Sequence, residues 1–232
     1  MSSRPAGAVG ALPLVCLCLT GCSGLLHSNA KPEQIYYLRA PAAQSTAAAG
    51  AAAASPGTDS AATAAAPLPV SVRIGRPVAN PGLDSPHIML LQTDHRMNFY
   101  TGSRWPGPAP EVIEALALQT LRASGAWSSV EDSASPFPSD YLLQLHLRRF
   151  EADYTEGGAA PTVHVVLDCI IGRRQGREVL ATFSASGAAA APANRLADVV
   201  GAFEQATGTA LEQLAQQAVQ AVRADLQRSA LN

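Results

Sequence analysis

Cys22 has the clearest chemical context in the chain, because it closes the tetrapeptide Leu19-Thr20-Gly21-Cys22. Its thiolate is a nucleophile, and the two small residues before it would fit the active site of a peptidase. Upstream, residues 1–10 carry one positive charge, Arg4, and residues 11–19 are apolar. A short positive start followed by an apolar stretch of about 7–15 residues is typical of a secretory signal, and it is too short to span a bilayer.

The tetrapeptide resembles the bacterial lipobox, which predicts that Cys22 accepts a diacylglyceryl group and that residues 1–21 are then removed. Cys16 and Cys18 do not fit this pattern, because bulky residues precede them. The alternative is an ordinary secretory signal in which the cysteine is incidental. Each buried methylene contributes about 0.8 kcal/mol, so palmitate-type chains on Cys22 would anchor the protein firmly. By resemblance to known sorting rules, Ser23, where Asp would favour the inner membrane, predicts the outer membrane.

Composition excludes several classes of protein. The chain has 232 residues, of which 47% are hydrophobic and only 15% are charged, with a net charge of −2. This balance argues against a nucleic-acid partner held by broad phosphate neutralisation, and against a polybasic membrane-surface protein. The length favours one domain with appendages.

Other residues with reactive side chains are scattered through the sequence. His146, His164 and Asp168 share one face of predicted strands, and a metal or hydrolase site built from them is an alternative to ordinary solvated side chains. We find no nucleophile elbow, zinc-protease motif, phosphate-binding loop or dinucleotide fingerprint. The interpretation is therefore that the chain has no catalytic, cofactor-binding or metal-binding residues.

Two further groups have unreactive interpretations. Cys169 is expected to be a buried free thiol, because it falls on the apolar side of its strand. Three acidic residues near Gly157-Gly158 are interpreted as a loop surface: Glu151, Asp153 and Glu156.

The elements that must position these residues begin after a lipidated tether over residues 22–34. A first strand is predicted over residues 35–39, from its aromatic and β-branched composition. Residues 40–68 are rich in Ala and Pro and are interpreted as a low-complexity linker or loop. An α+β domain is predicted over residues 69–228.

Within that domain, hydrophobic periodicity predicts most elements. Strands are expected over residues 70–74 and 126–130, with a hairpin formed by residues 87–93 and 96–100. A helix is expected to begin at Glu111, after Pro110, and to stop at Gly125. Three later strands alternate strongly and predict an antiparallel meander with one buried face, with a bulge near Arg148-Arg149.

A long amphipathic helix is predicted from a cap at Asn194 to about Leu226. The fold class is therefore α+β: a single domain with a mainly antiparallel or mixed β-sheet covered by two amphipathic helices.

Three residues between the hairpin and the first helix are candidates for either partner contact or structural anchoring: Tyr100, Arg104 and Trp105. Tryptophan is enriched at the hot spots of interfaces, but Trp105 also falls where the hairpin should pack against the helix. The sequence leaves both roles open.

The ordered set of motifs resembles the ABC-type transport auxiliary lipoproteins, the group that includes PqiC-like proteins. The residues that carry the resemblance run in order along the chain: Leu19–Cys22, Tyr36-Tyr37-Leu38, Pro81-Gly82-Leu83-Asp84, Ile88, Tyr100 and Arg104-Trp105. Two departures are the long Ala-rich insert and Pro106, which stands where a small residue is commoner.

This resemblance implies a non-enzymatic auxiliary or docking component of an MCE-type intermembrane lipid transport system, which supports membrane integrity. The implied partners are a periplasmic MCE-type protein and the ABC transporter subunits, and the implied location is the outer membrane of a Gram-negative bacterium, facing the periplasm. Self-association into a homo-oligomer is also compatible with the sequence. The alternative function is a lipoprotein that assists outer-membrane protein assembly or regulates a cell-wall synthase.

Overall fold

In the part of the chain that the structure describes, one long strand, β7, lies at the centre of a nine-stranded mixed sheet. The computed structural model describes residues 32–40 and 66–231. In chain order the elements are β1 (Gln34–Ile35), β2 (Leu68–Ile74), β3 (Val78–Ala79), β4 (His87–Leu91), β5 (Met97–Arg104), α1 (Ala109–Ala123), β6 (Trp127–Glu131), β7 (Tyr141–Asp153), β8 (Thr162–Arg173), β9 (Val179–Ala190) and α2 (Leu196–Ala230).

Three short strands lie one after another along one edge of β7, all parallel to it. Strand β2 pairs with its beginning, β3 with its middle and β4 with its end. The other edge of β7 pairs with β8, and β8 pairs with β9, both antiparallel. The predicted meander and the predicted hairpin of β4 and β5 are therefore confirmed, and parallel pairings extend them into a mixed sheet.

The two faces of the sheet differ in burial. On β8 the side chains of Val163, Val165, Leu167, Cys169 and Ile171 are fully buried. We call this side the covered face, because α2 packs on it against β8 and β9 and shares its apolar core with α1. The opposite side, which carries Val166, Asp168 and Ile170 on β8, is called the open face; Ile170 there is 39% exposed.

Both helices begin near the predicted positions. Helix α1 starts two residues before Glu111, with Pro in its first turn, and Gly125 follows its end with a φ of 60°. That left-handed conformation favours glycine, which explains the stop. Helix α2 extends beyond Leu226 to Ala230 and is capped by the backbone of Arg195. The predicted cap was wrong, because the side chain of Asn194 instead accepts a hydrogen bond from Tyr154.

Two shifts in register modify the predicted alternation. The bulge expected near Arg148-Arg149 is present between Leu147 and Arg149. A second shift, between Ile171 and Gly172, pairs Gly172 with Val179. Unbroken alternation would place Val179 on the buried face with Ala185, but this shift places it opposite an open-face residue, where it is 61% exposed.

The N-terminal segment of the domain is held at the edge of the sheet. The predicted strand over residues 35–39 is shorter, because only Gln34–Ile35 pair, parallel to β5. The first long strand begins at Leu68, within the predicted linker of residues 40–68. Most of that linker, and all of the predicted signal peptide, lie outside the described residues.

Candidate functional site

Cys22, the predicted site of lipidation, lies outside the described residues. The structure does describe how the chain that follows it is fixed to the domain. Glu33 lies 3.2 Å from Arg104 Nε, and the Tyr36 N–H donates to the Arg104 carbonyl. Further along, Arg39 forms an ion pair with Glu204 of α2 at 3.0 Å. Arg104 therefore positions the segment that would connect a membrane anchor to the sheet.

Trp105 is fully buried and forms the centre of an aromatic cluster. Its ring centroid lies 5.6 Å from that of Phe150 on β7 and 5.2 Å from that of Phe203 on α2. Tilted and edge-to-face arrangements at these distances are favourable for aromatic rings. The backbone N–H of Trp105 donates to the Pro86 carbonyl at 2.7 Å. Of its two predicted roles, this placement matches a structural anchor.

Tyr100 belongs to a hydrogen-bonded chain that joins three parts of the fold. Its hydroxyl lies 2.8 Å from that of Tyr154, which donates to Asn194 Oδ1 at 2.7 Å. Burial, followed by the contact with Tyr154, raises the pKa of Tyr100 well above its usual range. Tyr100 thus remains a neutral phenol and links β5 to the segment before α2.

Two of the three acidic residues that were interpreted as a loop surface lie on a strand and are buried. Glu151 and Asp153 are buried at the end of β7, at 4% and 6% exposure. Arg149 contacts both, at 2.5 Å and 2.8 Å. Burial would raise the pKa of Asp153, but hydrogen bonds from Thr155 and Arg149 outweigh it, and the pKa is lowered. The surface interpretation was therefore wrong for these two residues, because one arginine satisfies both carboxylates inside the fold.

A third buried carboxylate, Asp225 on α2, was not singled out from the sequence. It accepts hydrogen bonds from Tyr141 at 2.9 Å and from two nitrogens of Arg173 at 2.7 Å and 2.8 Å. Burial opposes ionisation, but Arg173 and Tyr141 together lower the pKa of Asp225. Its position three residues after Val222 on the buried stripe was the signal that could have identified it.

The candidate reactive residues do not converge. His146 is paired with Asp168 in the sheet register, and Asp168 accepts a hydrogen bond from Ser184 at 2.6 Å. His164 lies elsewhere, 3.4 Å from Glu156. Across residues 32–40 and 66–231, no group of three or more His, Cys, Asp or Glu side chains is arranged to hold a metal ion.

Cys169 is a buried free thiol, as predicted. Burial, and then the charge of Asp168, raises its pKa to about 12. A thiol that stays protonated is a poor nucleophile, so Cys169 acts as a small apolar residue of the core.

The polar groups at the two ends of the sheet therefore hold elements of the fold together. A solved structure of protein XCC0632 from Xanthomonas campestris, of the DUF330 family, is similar to this chain. The two chains are 27% identical with a TM-score of 0.65, over 70% of this chain and 91% of that one. A second solved structure, of an uncharacterized protein, has the same fold at 10% identity, with a TM-score of 0.58, over 81% of this chain and 99% of that one.

The chain belongs to the family of ABC-type transport auxiliary lipoprotein components, whose model matches residues 52–219. This confirms the resemblance inferred from the sequence. No curated protein is similar enough to count as a match. Among the described residues, neither helix is long and apolar enough to cross a membrane.

Proposed function

We propose that the chain is a non-enzymatic outer-membrane lipoprotein that docks a periplasmic MCE-type protein of an ABC-type lipid transport system. The observation that carries this proposal is the family match over residues 52–219, which makes the chain an auxiliary lipoprotein component of ABC-type transport. The lipobox-like end of the N-terminal segment and Ser23 support the anchor and its membrane.

The arrangement of the N-terminal segment supports the same function. Ion pairs with Arg104 and Glu204 hold Glu33 and Arg39 against the domain. An acylated Cys22 would therefore keep the sheet within a short distance of the membrane, because residues 22–34 form the whole connection. As the chain extends by at most about 3.3–3.6 Å per residue, that connection reaches no further than about 45 Å.

The anchor is tested by acyl labelling and membrane fractionation of Cys22→Ala, with Cys18→Ala as the matched control. Cys22→Ala should lose the acyl mass and the membrane association, whereas Cys18→Ala should keep both. A Ser23→Asp variant should move the acylated protein from the outer to the inner membrane in a density gradient. Normal membrane association of Cys22→Ala would exclude the proposed anchor.

The docking function is tested by co-purification of the acylated chain with the periplasmic MCE-type protein, the permease and the ATPase. The expected result is recovery of the MCE-type protein, together with loss of barrier integrity when the gene is deleted. Recovery of an outer-membrane assembly factor or a cell-wall synthase in its place would support the alternative function.

A further inference from the structure

The open face of the sheet contains a cavity of about 500 Å³ where β8 turns into β9. Side chains of β2, β7 and β8 that point away from the helices line it, together with the loop between β8 and β9. The lining residues that matter most are Arg73, Leu142, Ile170, Arg174, Arg177 and Val179. Small-molecule sites commonly measure about 300–1,000 Å³, so this cavity has the size of a ligand site.

The cavity has an excess of positive charge. Within the described ranges, Arg73, Arg174 and Arg177 have no carboxylate oxygen within 4.0 Å. Among the lining residues that the structure describes, a fourth arginine, Arg173, is neutralised by Asp225, and Glu178 is the one acidic residue. Three unpaired guanidinium groups around one cavity are suited to an anion with several oxygens.

The guanidinium group of Arg73 is particularly informative. Its Nε is buried without a hydrogen-bond partner in the described structure, while a terminal nitrogen donates to the Phe137 carbonyl. Leaving a charged donor buried and unsatisfied is unfavourable. An anion in the cavity would add the negative charge that this group lacks.

Arg177 adopts a backbone conformation that is unusual for its residue type. Its φ is 55°, directly after Gly176 with a φ of 80°. Glycine or asparagine would adopt the left-handed region at lower cost. Strained positions of this kind cluster at ligand sites, and here the strain accompanies a side chain that lines the cavity.

The same cavity also exposes apolar surface. Ile170 is 39% exposed and Val179 is 61% exposed, and Leu142, which pairs with Gly172 in the sheet register, also lines the cavity. An inorganic anion would leave this surface in contact with water, whereas an attached hydrocarbon chain would cover it.

We propose that this cavity binds a phosphate-headed amphiphile. The phosphate lies among the guanidinium groups of Arg73, Arg174 and Arg177, and the hydrocarbon chain covers Ile170 and Val179. The proposal gives a ligand class to the proposed transport function and rests on it for the source of the ligand. Binding itself is a property of this chain alone, so the two can be tested separately.

The experiment is isothermal titration calorimetry with the mature chain, residues 22–232, carrying Cys22→Ala, so that neither an attached acyl chain nor the apolar signal segment competes for the cavity. The probes are dodecyl phosphate, dodecyl maltoside and inorganic phosphate, each below its micellar concentration where one exists. Dodecyl phosphate should bind at least 10-fold more tightly than either of the others, because only it carries both the anion and the chain.

Variants locate the site. Arg174→Gln with Arg177→Gln should weaken dodecyl phosphate binding at least 10-fold, and Ile170→Ser should weaken it several-fold without changing the response to inorganic phosphate. Arg96→Gln with Arg195→Gln is the matched control, because it removes the same charge from two exposed positions outside the cavity. Circular dichroism confirms that each variant is folded.

Three outcomes would overturn the proposal. They are unchanged affinity in the Arg174 and Arg177 variant, equal loss in the control variant, and equal binding of inorganic phosphate and dodecyl phosphate. Displacement of dodecyl phosphate by an acidic apolar peptide with higher affinity would instead assign the cavity to a protein partner. Failure to recover the MCE-type protein, with dodecyl phosphate binding intact, would exclude the docking function and leave the cavity assignment standing.

Discussion

The covered face and the open face are made by the same strands, yet their side chains differ in burial and polarity. Along β8 the covered-face side chains from Val163 to Ile171 are fully buried, whereas the open-face residues between them keep contact with water. The covered face supplies the apolar burial that stabilises the domain. The open face carries arginines of the cavity and exposed apolar atoms. Buried apolar side chains and exposed side chains are therefore separated within single strands.

The largest effect is expected from Trp105→Ala, on the covered side. Removal of a fully buried indole from the contacts with Phe150 and Phe203 should cost about 3–5 kcal/mol of unfolding free energy. Chemical denaturation measures this value. Phe137→Ala is the control, because Phe137 is 66% exposed and its loss should cost less than about 0.5 kcal/mol. Comparable losses in the two variants would contradict the structural role of Trp105.

Asp225→Asn tests a buried polar contact on the covered side. Loss of the charged hydrogen bonds with Arg173 and Tyr141 should cost about 1.5–3 kcal/mol at neutral pH. The pKa of Asp225 is lowered in the folded state, so its contribution is complete above the unfolded pKa of about 3.9 and is lost as pH falls through the folded value.

The difference in stability between Asp225→Asn and the unmodified chain should therefore shrink as the pH falls below about 4, as measured by thermal unfolding at a series of pH values. A difference that stays constant down to pH 2 would mean that the carboxylate charge is not what holds α2 to the sheet.

Gly187→Ala tests how closely α2 lies on β9. A Cβ at residue 187 would be 2.0 Å from the Ala206 carbonyl oxygen, so the helix would have to move, at a cost of about 1–3 kcal/mol. Gly201→Ala is the matched control, since a Cβ there meets nothing within 4 Å. It should instead stabilise α2 by up to about 1 kcal/mol. Opposite signs in thermal denaturation are expected, and a neutral Gly187→Ala would show that the contact is looser.

The smallest effects are expected from two valine substitutions on β8, which compare the covered face with the open face directly. Val165 and Val166 are neighbours of the same type on opposite sides of β8, and only Val165 is fully buried. Val165→Ala should cost about 1.5 kcal/mol, from two buried carbon groups, and Val166→Ala about 0.5 kcal/mol or less. Equal costs in urea denaturation would mean that the open face is covered in solution, for example by a second copy.

The buried face of the sheet and the positions of several elements could be predicted from the sequence. The alternation of β8 indicated its buried face directly, and the turn residues located the hairpin of β4 and β5. Helix α1 was marked by Pro110 at one end and Gly125 at the other. These features are local, so periodicity and turn chemistry are sufficient to find them.

What could not be predicted depends on pairing between distant segments. The register shift at Gly172 moved Val179 to the open face, and no property of β9 alone reveals it. Asn194 has a good capping side chain, but Tyr154 engages it instead. Arg149 pairs with both Glu151 and Asp153 because strand β7 brings the three side chains together at its end. The cavity on the open face likewise needs three separate strands.

The pairing of β1 with β5 has a mechanical consequence for a chain held at its N-terminal end. Tension from that side reaches the domain at Glu33–Ile35, where two paired residues and the contact with Arg104 bear it first. The long ladder of β7 and β8 stays unloaded until those contacts part. Under such tension, β1 can separate from β5 first, while the remaining strands of the sheet stay paired.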